Sequence, residues 1–481
     1  MHLDSELCYR SLTARDARFD GQFFVGVTST GIYCRPVCPA RTPRQDRCRF
    51  FANAASAEHE GYRPCLRCRP ELAPGRAPVD SVGRLAAAAV ARIEAGALNE
   101  DGIDALAAEL GIGSRQLRRA IEREYGVAPV ELAQTQRLLL AKRLLTDTDV
   151  KVADVAFASG FSSLRRFNHL FRSRYGLSPT GLRRRQAPAS APGALRLKLA
   201  YRPPLDWDTL AGFLAGRGAP GVEYVDGRRY LRSVHIGACK GWFAAEPLAG
   251  ESALRIDASL SLLPVLTVLL ARLRHLFDLD ANPQAVAEHL GRDPRLRESC
   301  LRNPGLRVPG AFDAFELALR AVLGQQVTVK AASTIYGRFA RAFGEPLPEP
   351  YGLLTQTGPD PQRIAAAGID QLAGLGIPGK RAETVRGLAR AHCEGRLRLH
   401  PGADPEATQA QLVALPGIGP WTAQYVAMRV LRDPDGFPAA DLGVLRALGV
   451  AKPGEALAIA EGWRPWRAYA VMHLWRSYSG G

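Results

Sequence analysis

One stretch near the C-terminal end constrains this chain more than any other. Leu415 to Asp441 opens as Leu-Pro-Gly-Ile-Gly-Pro-Trp and closes as Phe-Pro-Ala-Ala-Asp. Gly417 and Gly419, bracketed by Pro416 and Pro420, cannot carry a helix through and read as a tight turn between two helices. Pro420 sits where the second helix begins. Bare glycine backbone lets another molecule come close. The free N–H groups of the next helical turn face outward, which makes an anion site. Farther on, Asp441 stands among apolar residues. A carboxylate in that setting must be paired, exposed in a cleft, or functional. A phosphate grip followed by an isolated acid points to an enzyme acting on DNA.

The rest of the chain agrees with an anionic partner. Net charge is +16 over 481 residues, and the excess of Lys and Arg is present in the first 79 residues, in 80–186 and in 187–481 alike. Charge spread this way is no basic tail on a neutral enzyme. The length suggests about three domains. No N-terminal signal pattern appears, since Asp4 and Glu6 fall within the first ten residues. No apolar run reaches the roughly 18 residues of a membrane span. Leu260–Leu270 reads as a short buried helix. The expected location is cytoplasmic and nucleoid-associated, with no membrane partner.

Six of the nine cysteines crowd into the first 68 residues: Cys8, Cys34, Cys38, Cys48, Cys65 and Cys68. In a reducing compartment such crowding favours metal over disulfides. Cys34-x3-Cys38 and Cys65-x2-Cys68 are two close pairs, and four thiolates complete a tetrahedral zinc site. Cys48 has no assigned role, and Cys239, Cys300 and Cys393 read as ordinary buried thiols. The stretch Thr-Ser-Thr-Gly-Ile-Tyr-Cys-Arg-Pro-Val-Cys-Pro-Ala-Arg-Thr, with Gly-Tyr-Arg-Pro-Cys-Leu-Arg-Cys downstream, resembles the N-terminal domain of the Ada methylation-response family. The resemblance implies that Cys34 accepts a methyl group from a DNA methylphosphotriester. Alkylating one sulfur would reduce the negative charge of the site and raise affinity for DNA. Arginines near the cysteines, from Arg35 to Arg67, are available for the phosphate backbone.

The middle of the chain repeats itself. Ile103–Leu117 is a helical pattern, a glycine turn, and a second helix with Ser114 expected as its cap. About fifty residues later Val152–Ser163 has the same phrasing. The second helices end in Tyr125-Gly126 and Tyr175-Gly176. Two copies in tandem resemble the AraC-type DNA-binding domain, which implies two recognition helices in successive major-groove segments. The resemblance points to Arg115, Gln116 and Arg119 in the first unit. In the second it points to Ser163, Arg165, Arg166 and Asn168. Promoter DNA and RNA polymerase are the implied partners. Most arginines of such helices contact phosphate or solvent rather than bases. His169 is expected to pack against the domain.

After a linker at Arg183–Gly193, Leu195–Leu199 alternates as a strand does, and Val222–Val234 holds further strands around Gly227. From Leu260 onward the pattern is mainly helical. Tyr201–Trp207 with Phe213, Ala318–Val327, and Leu415–Asp441 together with the Trp-rich end resemble the AlkA family of alkylbase DNA glycosylases. The resemblance implies an aromatic cleft of Trp421, Tyr425 and Trp475, with Phe213 beside it, around an extruded cationic base. Asp441 is the implied catalytic acid, stabilising positive charge on the sugar. A helix cap is its plainer reading. Gly417 and Gly419 would grip phosphate. A monovalent cation would rest on the carbonyls of Val413, Leu415 and Ile418. Gln326 occupies the family's duplex-wedge position, where the best-known member has leucine. No lysine lies between Leu415 and Asp441, so base excision without strand cleavage is expected. Trp463 and Trp466 read as core. No Pro-Cys-His-Arg tetrapeptide occurs, so O6-alkylguanine repair is not expected.

The sequence therefore reads as multidomain, mainly α with α+β parts. A small zinc-bound α+β domain spans 1–78, and an all-α double helix-turn-helix domain spans 79–186. An α+β subdomain with the start of the helical part spans 194–310, and a helix-hairpin-helix glycosylase domain spans 311–481. The expected activity is that of a methylphosphotriester-activated regulator fused to a monofunctional DNA glycosylase of the 3-methyladenine class, acting on alkylated double-stranded DNA. Two alternatives stay open: a transcription factor whose C-terminal module binds DNA without catalysis, and a glycosylase whose zinc is purely structural.

Overall fold

A computed structural model describes residues 3–75, 84–99, 101–183 and 194–479. The linkers expected at Arg76–Asp80 and beyond Arg183 lie outside these residues. The chain packs into two compact units. One comprises Met1–Pro203, Leu248–Ala271 and Leu279–Ala281; the other comprises Pro204–Pro247, Arg272–Asp278 and Asn282–Gly481.

The first unit begins with the helix Ser5–Ala14, capped by Asp4, and a four-stranded sheet. Its strands lie in the order Cys48–Phe51, Phe24–Val27, Ile32–Cys34, Arg63–Pro64. The last two are parallel, with Tyr33 opposite Pro64. That register sets Cys34, at the end of one strand, beside Cys65, just past the other. Helices then follow. Ile103–Glu109 with Ser114–Tyr125, and Val152–Ala158 with Leu164–Tyr175, are the two helix-turn-helix pairs, joined by the long helix Pro129–Asp147. Each second helix buries every fourth residue: Leu117, Ile121 and Tyr125 in one, Phe167, Phe171 and Tyr175 in the other. Each stops at a left-handed glycine, Gly126 or Gly176. The unit also contains the antiparallel strands Ala194–Ala200 and Ala253–Ser259.

In the second unit an antiparallel meander, Glu223–Asp226, Arg229–Ile236 and Cys239–Pro247, precedes a helical body. Helices Ala314–Leu323, Val329–Phe343, Gly379–Cys393, Pro405–Val413 and Pro420–Arg429 share one apolar core, including Phe315, Phe339, Leu388, Ile418 and Val426.

Some local expectations are corrected. Gly113, not Ser114, caps the first recognition helix, and Ser114 is its first residue. His169 is exposed rather than packed, because the buried register of its helix passes through Phe167 and Phe171. Cys393 is exposed and Cys239 half-buried, while Cys300 is buried as expected. Leu260–Leu270 is not one helix: a 3-10 stretch runs from Leu260 to Val265, with Pro264 inside it, before the helix Leu266–Leu276. No helix among the described residues is long and apolar enough to cross a membrane.

Candidate functional site

The helix-hairpin-helix separates the roles of its two glycines. Gly417 has φ +83°, and a Cβ there would overlap Thr384 Oγ1. It is required by packing and by backbone conformation. Gly419 caps the helix Pro420–Arg429 with extended backbone, and a Cβ on it would meet nothing within 4 Å. The open approach expected of both glycines therefore belongs to Gly419. Behind the turn, Gln325 Nε2 donates to Gly417 O at 3.1 Å and to Thr422 Oγ1 at 3.0 Å. Arg381 holds Gln325 O at 2.8 Å. Gln326, next in the chain, is exposed at φ +56°. It stands on the turn beside the hairpin and does not line the cleft, whereas Val327 does.

That cleft has a volume of ≈ 390 Å³ smaller than neither wall would suggest: it measures ≈ 830 Å³ and is lined by Phe213, Trp421, Tyr425, Asp441 and Trp475 among others. The sequence-predicted aromatic residues come together there. Trp421 stacks on Tyr425, with ring centroids 5.5 Å apart and planes 16° apart. Phe213 stacks on Trp475 at 6.4 Å and 14°, and Tyr425 and Trp475 stand 6.3 Å apart. Trp463 and Trp466 are core.

Asp441 is both things the sequence allowed. It caps the helix Leu442–Leu448, with Oδ1 accepting from Val444 N at 3.1 Å. It also accepts from two cleft indoles: Trp475 Nε1 donates to Oδ1 at 2.8 Å, and Trp421 Nε1 donates to Oδ2 at 3.0 Å. Gly443 gives Trp475 room, since a Cβ there would lie 3.1 Å from both the indole and Asp441 Oδ1. Three donors fix a half-buried carboxylate at the wall of an aromatic cleft. Such a group can face positive charge developing on a bound molecule without reorganising.

Sequence reasoning missed the arginines. Arg217 lies with its guanidinium carbon 3.6 Å from the Phe213 ring centroid. Arg429 is buried, donates to Pro309 O at 2.7 Å and Gly310 O at 3.2 Å, and hydrogen-bonds the Tyr425 hydroxyl. A buried network of Glu223, Arg232, Glu316 and Arg320 also lines the cleft. Burial alone would raise the Glu316 carboxyl, but Arg232 and Arg320 outweigh it and hold it down at about 2. The only sequence signal was Arg320, inside the apolar stretch Ala318–Val327.

In the first unit the sulfur atoms of Cys34, Cys38, Cys65 and Cys68 all lie within 4.8 Å of one another. Four sulfurs about 2.3 Å from one zinc ion stand roughly 3.8 Å apart, so the cluster fits that ion. Backbone N–H groups of Arg35 and Arg67 point at Cys68 Sγ and Cys65 Sγ, at 3.3 and 3.4 Å. Cys34 is half-buried while the other three are buried. A separate cavity of ≈ 390 Å³ opens beside it, lined also by Arg41, Arg63 and Arg67. Arg35 is not available to DNA: it is paired with Asp20 and donates to Cys68 O at 3.1 Å. On the recognition helices Arg115, Gln116, Arg119, Arg165 and Arg166 are exposed and Asn168 is half-buried. Ser163 caps its helix by accepting from Arg166 N at 3.3 Å.

Comparison with known proteins follows the same divisions. The family described as the metal binding domain of Ada matches residues 7–71, and a helix-turn-helix domain family matches 106–185. The AlkA N-terminal domain matches 196–313, and the HhH-GPD superfamily of base excision DNA repair proteins matches 319–453. A "probable bifunctional transcriptional activator/DNA repair enzyme AlkA" of Mycobacterium tuberculosis is 42% identical over 485 residues, covering 99% of this chain and 97% of the relative. The "DNA-3-methyladenine glycosylase 2" of Escherichia coli is 40% identical over 277 residues, 58% of this chain and 95% of its own length. Among solved structures, a 3-methyladenine DNA-glycosylase from Archaeoglobus fulgidus shares the fold of 59% of this chain over 98% of its own, at 20% identity and a TM-score of 0.53.

Proposed function

The chain belongs to the family of bifunctional transcriptional activator/DNA repair AlkA proteins, and on that premise we propose how its residues divide the work. Excision of alkylated bases of the 3-methyladenine class takes place at Asp441. The observation that carries this reading is the carboxylate held by two indole N–H groups at the wall of the aromatic cleft. The extruded base lies among Trp421, Tyr425, Trp475 and Phe213, whose ring faces attract its positive charge. The C1′–N bond breaks with its electron pair leaving on the base. Asp441 stabilises the cationic sugar, and water adds to C1′ and gives up a proton. No amine replaces water, because Trp421 occupies the position where a lyase of the related endonuclease III branch keeps lysine. Gly417 and Gly419 bring the hairpin backbone to phosphate, and Gln326 fills the gap left by the extruded base. A monovalent cation rests on the carbonyls of Val413, Leu415 and Ile418. Val413 ends its helix, so its carbonyl is among those without an intrahelical donor.

Cys34 is the methyl acceptor, the least buried of the four sulfurs. Zinc held by Cys34, Cys38, Cys65 and Cys68 keeps the sulfurs as thiolates, which are nucleophiles at neutral pH. The Cys34 sulfur attacks the methyl carbon; the carbon–oxygen bond breaks and its pair returns to the phosphate. Arg115, Gln116, Arg119, Ser163, Arg165, Arg166 and Asn168 then read promoter DNA at the bacterial nucleoid, with RNA polymerase as the recruited partner. The domain limits proposed are 1–78, 79–186, 194–310 and 311–481.

One experiment tests both activities. The zinc-loaded chain is incubated with methylated duplex, and released bases and protein mass are read from the same sample. The reading requires free 3-methyladenine and one added methyl on the Cys34 peptide. Absence of base release refutes the glycosylase, and absence of the methyl leaves the zinc structural.

A further inference from the structure

Tyr425 carries more than a ring. Its hydroxyl oxygen accepts a hydrogen bond from Arg429, and Arg217 hydrogen-bonds it as well. Both guanidiniums are themselves fixed. Arg429 is buried against Pro309 O and Gly310 O. Arg217 lies over Phe213 and donates to Phe213 O at 3.3 Å. Arginine has no acceptor, so neither can take the phenol proton. That proton is left to point at whatever occupies the cleft that Tyr425 lines. Burial alone would raise the Tyr425 phenol, but Arg429 and Arg217 beside it hold it below the ordinary phenol value. The result is a strengthened donor.

Two fixed positive charges are an odd lining for a cleft that takes only cations. They suit a different leaving group. A cationic methylpurine leaves as a neutral base and needs no donor. A neutral damaged base leaves with a negative charge that must be shared or protonated. We infer that Tyr425, backed by Arg217 and Arg429, is the hydrogen-bond donor that lets this cleft release neutral, acceptor-bearing bases alongside cationic ones. In that reaction the C1′–N bond breaks with its pair on the base, and the Tyr425 hydroxyl hydrogen-bonds the charge as it develops. Water adds its oxygen to C1′, and the proton it loses neutralises the departed base.

This rests on the glycosylase reading above, and the test keeps the two apart. Single-turnover release is measured for the zinc-loaded wild type, Tyr425→Phe and Arg217→Gln on two duplexes, one carrying hypoxanthine as the neutral probe and one carrying 3-methyladenine. Tyr425→Phe keeps the ring and removes the donor. The expected result is a fall of about tenfold or more in the hypoxanthine-to-3-methyladenine rate ratio, with a smaller fall in the same direction for Arg217→Gln. A merely structural tyrosine would lower both rates together. An unchanged ratio in both variants overturns the inference, as does a wild type that releases 3-methyladenine but no hypoxanthine. A wild type that releases neither overturns the glycosylase reading itself.

Discussion

Asp441 shows how one side chain serves the helix it begins and the cleft it faces. Capping uses Oδ1 toward Val444 N, and the indoles of Trp475 and Trp421 take one oxygen each. Asp441→Asn keeps the shape and the cap but loses the charge. Its amide nitrogen would also confront an indole N–H, donor against donor. Base release should fall by about 10²–10³, the range seen when a preorganised electrostatic contact is removed, with little change in melting temperature. Trp475→Phe tests the orienting role by keeping an aromatic wall without the N–H. A fall of about tenfold in single-turnover rate is expected, and no change would mean that Val444 and Trp421 suffice to hold the carboxylate. These partners were legible in the sequence because the motif carries Trp421, Tyr425 and Asp441 at fixed intervals within one stretch. Arg217 and Arg429 were not legible. Among 63 Lys and Arg residues, nothing marks two that fold inward, and what turns them is the carbonyls of Phe213, Pro309 and Gly310.

At the scale of elements, the hairpin makes a prediction from two glycines that look alike in sequence. Gly417→Ala meets Thr384 and a left-handed backbone, and should destabilise the helical body by about 1–3 kcal/mol. Gly419→Ala meets open space and extended backbone, so it should leave stability within about 0.5 kcal/mol while weakening DNA binding, as a methyl now stands at the phosphate. Urea unfolding followed by tryptophan fluorescence reads this unit, since the first tryptophan of the chain is Trp207. Equal losses in the two variants would refute the division of labour. Helices were the legible elements, since Leu117, Ile121 and Tyr125 repeat at helical spacing and again fifty residues on. The strand Leu195–Leu199 was legible because it alternates. The strands Cys239–Pro247 and Ala253–Ser259 were missed because both carry consecutive buried residues, so no period of two is left to read.

At the scale of the whole molecule, the cysteine cluster and both recognition helices belong to one compact unit. Their joint is polar and buried. Glu58 accepts from Tyr33 at 3.0 Å, from Thr135 at 3.1 Å and from Tyr175 at 3.5 Å, while Arg174 donates to its backbone carbonyl at 3.0 Å. Asn53 and Ser56 donate to Tyr125 O, and buried Lys142 pairs with buried Glu71 at 2.5 Å. Nothing in the sequence marked this joint, because its partners are separated by 70 residues or more. Burial pushes the Glu58 carboxyl up to about 7 from the ordinary 4.5, against hydrogen bonds from Tyr33 and Thr135. The folded state therefore binds this proton more tightly than the unfolded chain does. Stability from it is full below pH 4.5, drains as pH rises, and is gone above about 7. Between pH 5.5 and 7.5 the joint should lose about 2 kcal/mol. Glu58→Gln is neutral throughout and keeps an acceptor, and the facing hydroxyls can rotate to its amide. Fluorescence does not report here, as this part of the chain has no tryptophan before Trp207, so hydrogen exchange by mass spectrometry is the measurement. Compared at each pH, with zinc bound, wild-type peptides around 53–60 and 129–145 should lose protection relative to Glu58→Gln as pH rises. His59, paired with Glu131, titrates in both proteins and cancels. Parallel pH profiles would mean that Glu58 is ionised in the joint already, with Arg174 supplying the compensating charge.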